Sequence, residues 1–400
     1  MDAAAPSAPD ANVNPTSQRG PRLPGVDRLR GLVIVIMALD HVRDFFDADA
    51  VRFFPTDLTH TYVALFLTRF VTHYCAPTFA LLAGVSAYLH GQRLGDRAAL
   101  AKFLLTRGMW LVLLDAIVIS PIWTLHWGEI ELGALWAIGG GMVALSVLVF
   151  LPSRFVLGLG AFILVTHNLV DGVHAAAFGA YGGFWSLLHE PGALPLGVKG
   201  KVLYPLLPWI GIVACGYGLG PLFSASAEQR AKILTRLGLA ALALFVVLRS
   251  ANLYGDPHPW SVQADATMTP LAFLNVTKYP PSLLYALVTL GPALLLLPRL
   301  ERLDGRIGRV LSAFGETSLF FYVLHLYLGL GAALALERAR GFGFDEMSAF
   351  IAKGAPPQNF GVGVAGAYVA WIALVATLYP LCSWFAGVKR RHRSAWLSYL

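Results

Sequence analysis

Residues 40–44 read Asp40-His41-Val42-Arg43-Asp44 and set an imidazole, a guanidinium and two carboxylates at the far end of an apolar run that begins near Asp27. Ionisable groups at membrane depth are costly unless paired, so their retention there points to function. A histidine beside a carboxylate has the make-up of a general base, because the carboxylate fixes the ring tautomer and raises its basicity. On a helix, His41 and Asp44 share a face, whereas Asp40 looks toward Arg43 or toward another helix. At ~1.5 Å per residue, Arg30 lies about 16 Å below His41 on the same helix, where a guanidinium can take a phosphate. The plainer alternative is a helix that ends in interfacial water with its charges solvated.

Other positions extend this chemistry. Lys102 and Arg107 open a later apolar run and offer cations to a nucleotide-bearing donor, or serve only to set topology. His73, within Thr72–Phe79, falls near the height of His41. Leu203–Gly211, with Trp209, and Lys278–Ser282, with Tyr279, form irregular aromatic openings to two helices. His325 is a second intramembrane histidine, in a run that also carries Glu316, Thr317, Ser318 and Tyr322. The candidate substrate contacts are therefore Arg43, His73, Trp209, Tyr279, Ser282 and His325. No metal ligand set is expected: Cys75, Cys215 and Cys382 lie apart inside apolar runs with no CxxC or Cys/His spacing. No Walker or GxGxxG motif is present, which argues against ATP hydrolysis and dinucleotide chemistry.

The elements that must position these groups are membrane helices. Of 400 residues, 56% are hydrophobic and only 13% charged, a balance outside that of soluble domains. Ten runs of near-span length fall at approximately 28–46, 62–90, 103–124, 132–151, 155–170, 203–223, 233–250, 281–298, 313–336 and 362–387. The predicted architecture is an all-α polytopic bundle of about ten transmembrane helices. The net charge of +7 comes from basic residues clustered at the ends of runs, and 20 of the 30 fall on one side if the N terminus is inside. That pattern predicts both termini in the cytoplasm and gives no reason to invoke nucleic acid. Residues 1–26, rich in Ala, Pro and Ser, are expected to be a disordered cytoplasmic tail, 27–388 the membrane domain and 389–400 a basic cytoplasmic tail. The second run is long enough to tilt strongly or to break near Pro77 or Gly84, and membrane depth tolerates a break where it lines a cavity.

Several motifs together resemble a known family. Arg28-Leu-Arg30-Gly31 leading into Asp40-His41, the Pro77–Ser86 segment, Tyr204-Pro-Leu-Leu-Pro-Trp209, Tyr279-Pro-Pro-Ser282 and Phe314-Gly-Glu-Thr-Ser-Leu-Phe-Phe-Tyr322-Val-Leu-His325 resemble the bacterial members of the heparan-α-glucosaminide N-acetyltransferase catalytic-domain-like family. The resemblance spans roughly residues 20–385. It implies an acyltransferase of the bacterial inner membrane, with acetyl-CoA as cytoplasmic donor and a glycan or glycolipid acceptor reached from the periplasmic side. In related glycan O-acetyltransferases a histidine follows an Arg-Gly pair by ten residues, and Arg30-Gly31 with His41 matches that spacing. The lysosomal branch carries Asn there and its histidine further on, where this chain has no His within the next eighteen residues. The glycan O-acetyltransferase pattern is therefore the better guide for His41, while the choice between O- and N-acylation stays open. On this reading His41, oriented by Asp44 or Asp40, is the catalytic base or transient acyl carrier, and Arg30, Arg107 and Lys102 hold the phosphates of CoA. Two rivals remain: a proton-coupled transporter or lipid flippase using His41, Asp40 and Asp44 as a relay, and a non-catalytic assembly partner. A homodimer is open.

Overall fold

In a computed structural model the described residues are 23–125, 127–343, 345–346 and 359–392; most of the expected N-terminal tail and the last eight residues of the C-terminal one lie outside them. Among the described residues eight helical segments have the length and apolarity to cross a bilayer: Val63–Leu94, Arg97–Thr124, Ser153–Val170, Leu206–Ser224, Ala227–Ala251, Leu283–Glu301, Ser318–Ala339 and Val364–Arg391. Two more complete the ten expected runs. Helix α1 (Pro24–Phe46) is long enough but too highly charged to count by hydropathy, and the apolar α7 (Ala134–Leu148) is short. The protein is a multi-pass all-α membrane bundle.

The second run is broken, as its length requires. It comprises α3 (Val63–Thr72) and α4 (Cys75–Leu94), which meet at His73-Tyr74. Pro77 follows in the first turn of α4, where its missing N–H costs nothing. Short α2 (Ala48–Arg52) links α1 to this pair, with the Asp47 side chain accepting from the backbone of Asp49 and Ala50. The third run also departs from a straight helix: α5 (Arg97–Leu114) passes through a π-helical turn at Asp115–Ile119 into α6 (Ser120–Thr124). Asp115, fully buried, accepts from the N–H groups of Gly133 at 2.6 Å and Trp136 at 3.1 Å. It thereby satisfies the amino end of α7.

The remaining helices are α8 (Ser153–Thr166), α9 (Gly182–Leu188), α10 (Leu206–Leu219), α11 (Ala227–Ala251), α12 (Met268–Leu274), α13 (Leu283–Glu301), α14 (Gly305–Glu316), α15 (Ser318–Ala339) and α16 (Val364–Arg391). A small sheet that the sequence does not announce joins two connections: β1 (Ile130–Leu132) pairs in parallel with β3 (Gly200–Val202), which pairs antiparallel with β2 (Gly192–Ala193). The long connection 251–280 is gathered by Arg249, whose buried guanidinium donates to the carbonyls of Phe273, His258, Ala272 and Asn275.

Helix α1 stands at the centre, packed by α3, α4, α13, α14, α15 and α16. Its contact with the amphipathic α14 is backbone to backbone. A Cβ on Gly31 would lie 1.9 Å from the Leu311 carbonyl oxygen, and one on Gly315 would lie 1.8 Å from that of Asp27. Only glycine permits this approach. Gly31→Ala is expected to destabilise the protein by about 1–3 kcal/mol through overpacking, whereas Gly158→Ala, with open space around it, leaves the thermal midpoint in detergent unchanged. Equal midpoints for the two variants would refute the packing account.

Candidate functional site

A cavity of about 960 Å³ opens beside α1 and runs from Asp27 and Arg30 to Asp40 and His41. Its upper end is lined by Thr72 and Cys75 from the α3/α4 break, by Tyr204 and Lys278, and by Tyr322 of α15. The break thus faces a cavity, the condition under which irregular backbone survives at membrane depth. Its middle is apolar, with Ile34, Met37, Ala76, Phe79 and Leu135. Its lower end carries Arg30, His90, Arg93, Arg107 and Lys389. The volume lies within the usual range of small-molecule sites.

Asp40 reaches this cavity, yet its oxygens are committed elsewhere. It accepts from Arg43 Nη2 at 2.7 Å, from Arg69 Nη1 at 2.7 and 2.6 Å, and from Thr72 Oγ1 at 2.5 Å, with Lys278 Nζ at 4.0 Å. Arg43, 1% exposed, also donates to Asp44 at 2.6 Å. Three cations and two carboxylates therefore share one cluster that ties α1 to α3 and to the turn before α13. Tyr279 closes it, its hydroxyl 3.4 Å from both Arg69 and the Tyr204 hydroxyl, with Lys278 over both rings.

His41 takes a partner the spacing did not suggest. Its Nδ1 lies 2.7 Å from Nε2 of His325, and the two rings stack at 5.0 Å. His325 Nδ1 in turn lies 3.0 Å from the Phe321 carbonyl. A carbonyl only accepts, so His325 Nδ1 carries the proton and its Nε2 holds a lone pair. The bond between the rings is then donated by His41 Nδ1, which leaves the lone pair of neutral His41 on Nε2. Trp123 and Tyr322 pack edge-on against the same ring at 5.3 and 6.2 Å and hold its plane. The expected orientation of His41 by Asp44 or Asp40 is corrected: Arg43 draws both carboxylates to itself, and Asp44 lines a separate small pocket with Phe45, Val51 and Trp123.

The other candidates divide. Arg30 and Arg107 line the cavity; Lys102 is exposed and lies off it. Arg30 is held by Asp27 at 3.2 Å and by the Ser86 hydroxyl at 2.8 Å. His73 is buried against Phe70 and Tyr285, outside the cavity lining. Trp209 is fully buried beside Tyr204 as a core residue. Ser282 caps α13, accepting from the Tyr285 N–H and donating to Asp256. Helix position explains Ser282: a polar side chain that starts a helix satisfies backbone first. Sequence reading did not single out Arg69, Lys278, Trp123, Arg93 or Lys389. The signal for Arg69 was present, since a lone arginine in an apolar run requires a buried anion, and Asp40 is one.

Asp40→Asn is expected to lower stability by about 3–5 kcal/mol, because it leaves buried guanidiniums uncompensated. Asp44→Asn, whose side chain is 32% exposed, should cost less. Thermal unfolding in detergent measures both, and a neutral Asp40→Asn would remove the cluster from its structural role.

Comparison with curated proteins gives no match. A sequence profile described as heparan-alpha-glucosaminide N-acetyltransferase, catalytic, matches residues 22–254, more than half of the chain. The matched stretch contains Arg30, His41, Arg69 and Arg107. It stops short of Lys278 and His325, so the motifs around Tyr279 and Phe314 stand outside it. The chain belongs to the heparan-α-glucosaminide N-acetyltransferase catalytic-domain family, as a multi-pass membrane acetyltransferase.

Proposed function

We propose that this protein transfers an acetyl group from acetyl-CoA, bound in the cavity beside α1, to a glycan or glycolipid acceptor at the opposite side of the bacterial cytoplasmic membrane. The observation that carries this reading is the continuity of the cavity, with cations at one end, an apolar middle and His41 at the other. Arg30 and Arg107, joined by Arg93 and Lys389, receive the phosphates; the apolar middle receives the pantetheine arm; the thioester reaches His41. Lys102 lies too far off this path to serve. Residues 27–388 form the membrane domain, with tails on the cytoplasmic side, and Lys389, in the last turn of α16, adds a cation to the cavity lining from just beyond it.

In the reaction, His41 Nε2 accepts the proton of the acceptor hydroxyl or amine as its oxygen or nitrogen attacks the thioester carbonyl. The carbon–sulfur bond breaks, CoA leaves as thiolate, and the proton on Nε2 passes to it. His325 keeps Nδ1 of His41 protonated, so the basic lone pair points away from the ring partner. Asp40 with Arg43, Arg69 and Lys278 holds the end of the helix that carries His41. Tyr279 and Tyr204 border the acceptor side.

His41→Ala should lower transfer from labelled acetyl-CoA by about 10²–10⁴-fold with expression and unfolding midpoint retained; transfer at the wild-type rate would refute the mechanism. Arg107→Ala and Arg30→Ala should each weaken the thermal stabilisation conferred by acetyl-CoA by about tenfold in apparent affinity, the scale of one charge-assisted hydrogen bond. Unchanged stabilisation in both would move the donor elsewhere. For orientation, a membrane-impermeant maleimide applied to intact cells should label Asp265→Cys and spare Arg154→Cys. The reverse pattern would invert the assignment of sides.

A further inference from the structure

At the same end of the bundle as His41, but in a different group of helices, α8 runs into a 3₁₀ turn at His167–Val170 that places His167 and Asp171 four residues apart. His189, at the carboxyl end of α9, folds back over them, its ring 5.7 Å from that of His167. One ligand atom from each of the three residues lies within 4.8 Å of the others. His167 and His189 are 3% and 2% exposed. Among the described residues, neither ring nitrogen of His167 has a hydrogen-bond partner, nor has Nδ1 of His189. Buried imidazole nitrogens without partners are the exception in folded proteins and require an explanation.

We infer that His167, Asp171 and His189 form a site for a divalent transition-metal ion of the zinc class. Two imidazoles and a carboxylate suit such ions and disfavour calcium and magnesium, which take oxygen ligands. Ligands on one tetrahedral zinc at ~2.0–2.1 Å stand roughly 3.3 Å apart. His189 Nε2 and Asp171 Oδ1 are already 3.1 Å apart. Closing the third ligand takes a further movement of about 1.5 Å from the separation that bounds the group, and His167 breaks no hydrogen bond in making it. The ligands are positioned from behind. Asn168 donates to the second Asp171 oxygen at 2.8 Å and accepts from the Leu283 N–H at 2.9 Å. The ion therefore clamps the segment 171–189 to the end of α8, and through Asn168 it is coupled to the start of α13, next to the turn that carries Lys278 and Tyr279. Three protein ligands leave a fourth position for water, as in zinc sites that remain open.

The test uses the full-length protein purified without a polyhistidine tag, stripped with chelator and titrated with Zn²⁺ against a chromophoric competitor, with Co²⁺ as spectroscopic probe. The stripped wild type should bind one Zn²⁺ per chain, raise its unfolding midpoint on binding, and give the visible spectrum of a low-coordinate Co²⁺ site. His167→Ala and His189→Ala should each weaken Zn²⁺ at least tenfold and abolish the Co²⁺ spectrum, while His60→Ala, at an exposed histidine that pairs with Asp57 outside the cluster, should match wild type. Asp171→Asn, nearly isosteric, keeps the test open if an alanine variant fails to fold. Failure of the stripped wild type to bind Zn²⁺ or Co²⁺, or equal affinity in wild type and Asp171→Asn, would overturn the site.

Discussion

One buried carboxylate organises the membrane-facing chemistry of this protein. Asp40 draws two arginines and a lysine to itself at one end of the cavity, and the buried cations there depend on its charge. The cluster is assembled from three parts of the chain far apart in sequence: the end of α1, the end of α3 and the turn before α13. Because it consumes the carboxylates nearest to His41, the imidazole has to find its partner across the bundle, on α15. The second imidazole in that place supplies a hydrogen-bond partner without bringing in another carboxylate.

The cavity inherits its polarity from the same arrangement. Helix α1 presents Arg30 and His41 about 16 Å apart along its axis, and Gly31 lets α14 approach its backbone closely. The interrupted second run supplies the wall at the His41 end, where Thr72 and Cys75 stand at the junction of two helices. On the proposed reaction, two substrates confined in this cavity would gain rate by positioning.

Much of the fold was legible in the sequence because the bilayer imposes long apolar runs, and ten of them fall where helices stand. The importance of residues 40–44 was legible for the same reason: charge at depth is conspicuous. Their partnerships were not. Helical spacing predicts neighbours within three or four residues, so it finds Arg43 beside Asp40 but is silent on Arg69, Lys278 and His325, which arrive from other helices. Ser282 and Trp209 attracted notice by type, yet helix capping and core packing account for them. His167, Asp171 and His189 passed unremarked because the third residue is supplied by a connection whose path depends on a small sheet with no periodic signal. Asp115 illustrates the limit from the other side, an acid at depth whose task is to satisfy the backbone of a neighbouring helix.

The lower rim of the cavity has a temporal side. Asp27 and Arg30 come from the first helix, Glu316 from the end of α14 and Lys389 from the last turn of α16, where its ammonium donates to the Glu316 carbonyl and Arg390 pairs with the Glu316 carboxylate. A chain still on the ribosome owns Arg30, His90, Arg93 and Arg107 before Lys278 completes the Asp40 cluster; His325 arrives after that, and Lys389 comes last. The contacts of Lys389 and Arg390 with Glu316 are the last part of the site to be synthesised, so a protein truncated before the end of α16 carries the His41–His325 pair and the Asp40 cluster while lacking that one edge of the mouth.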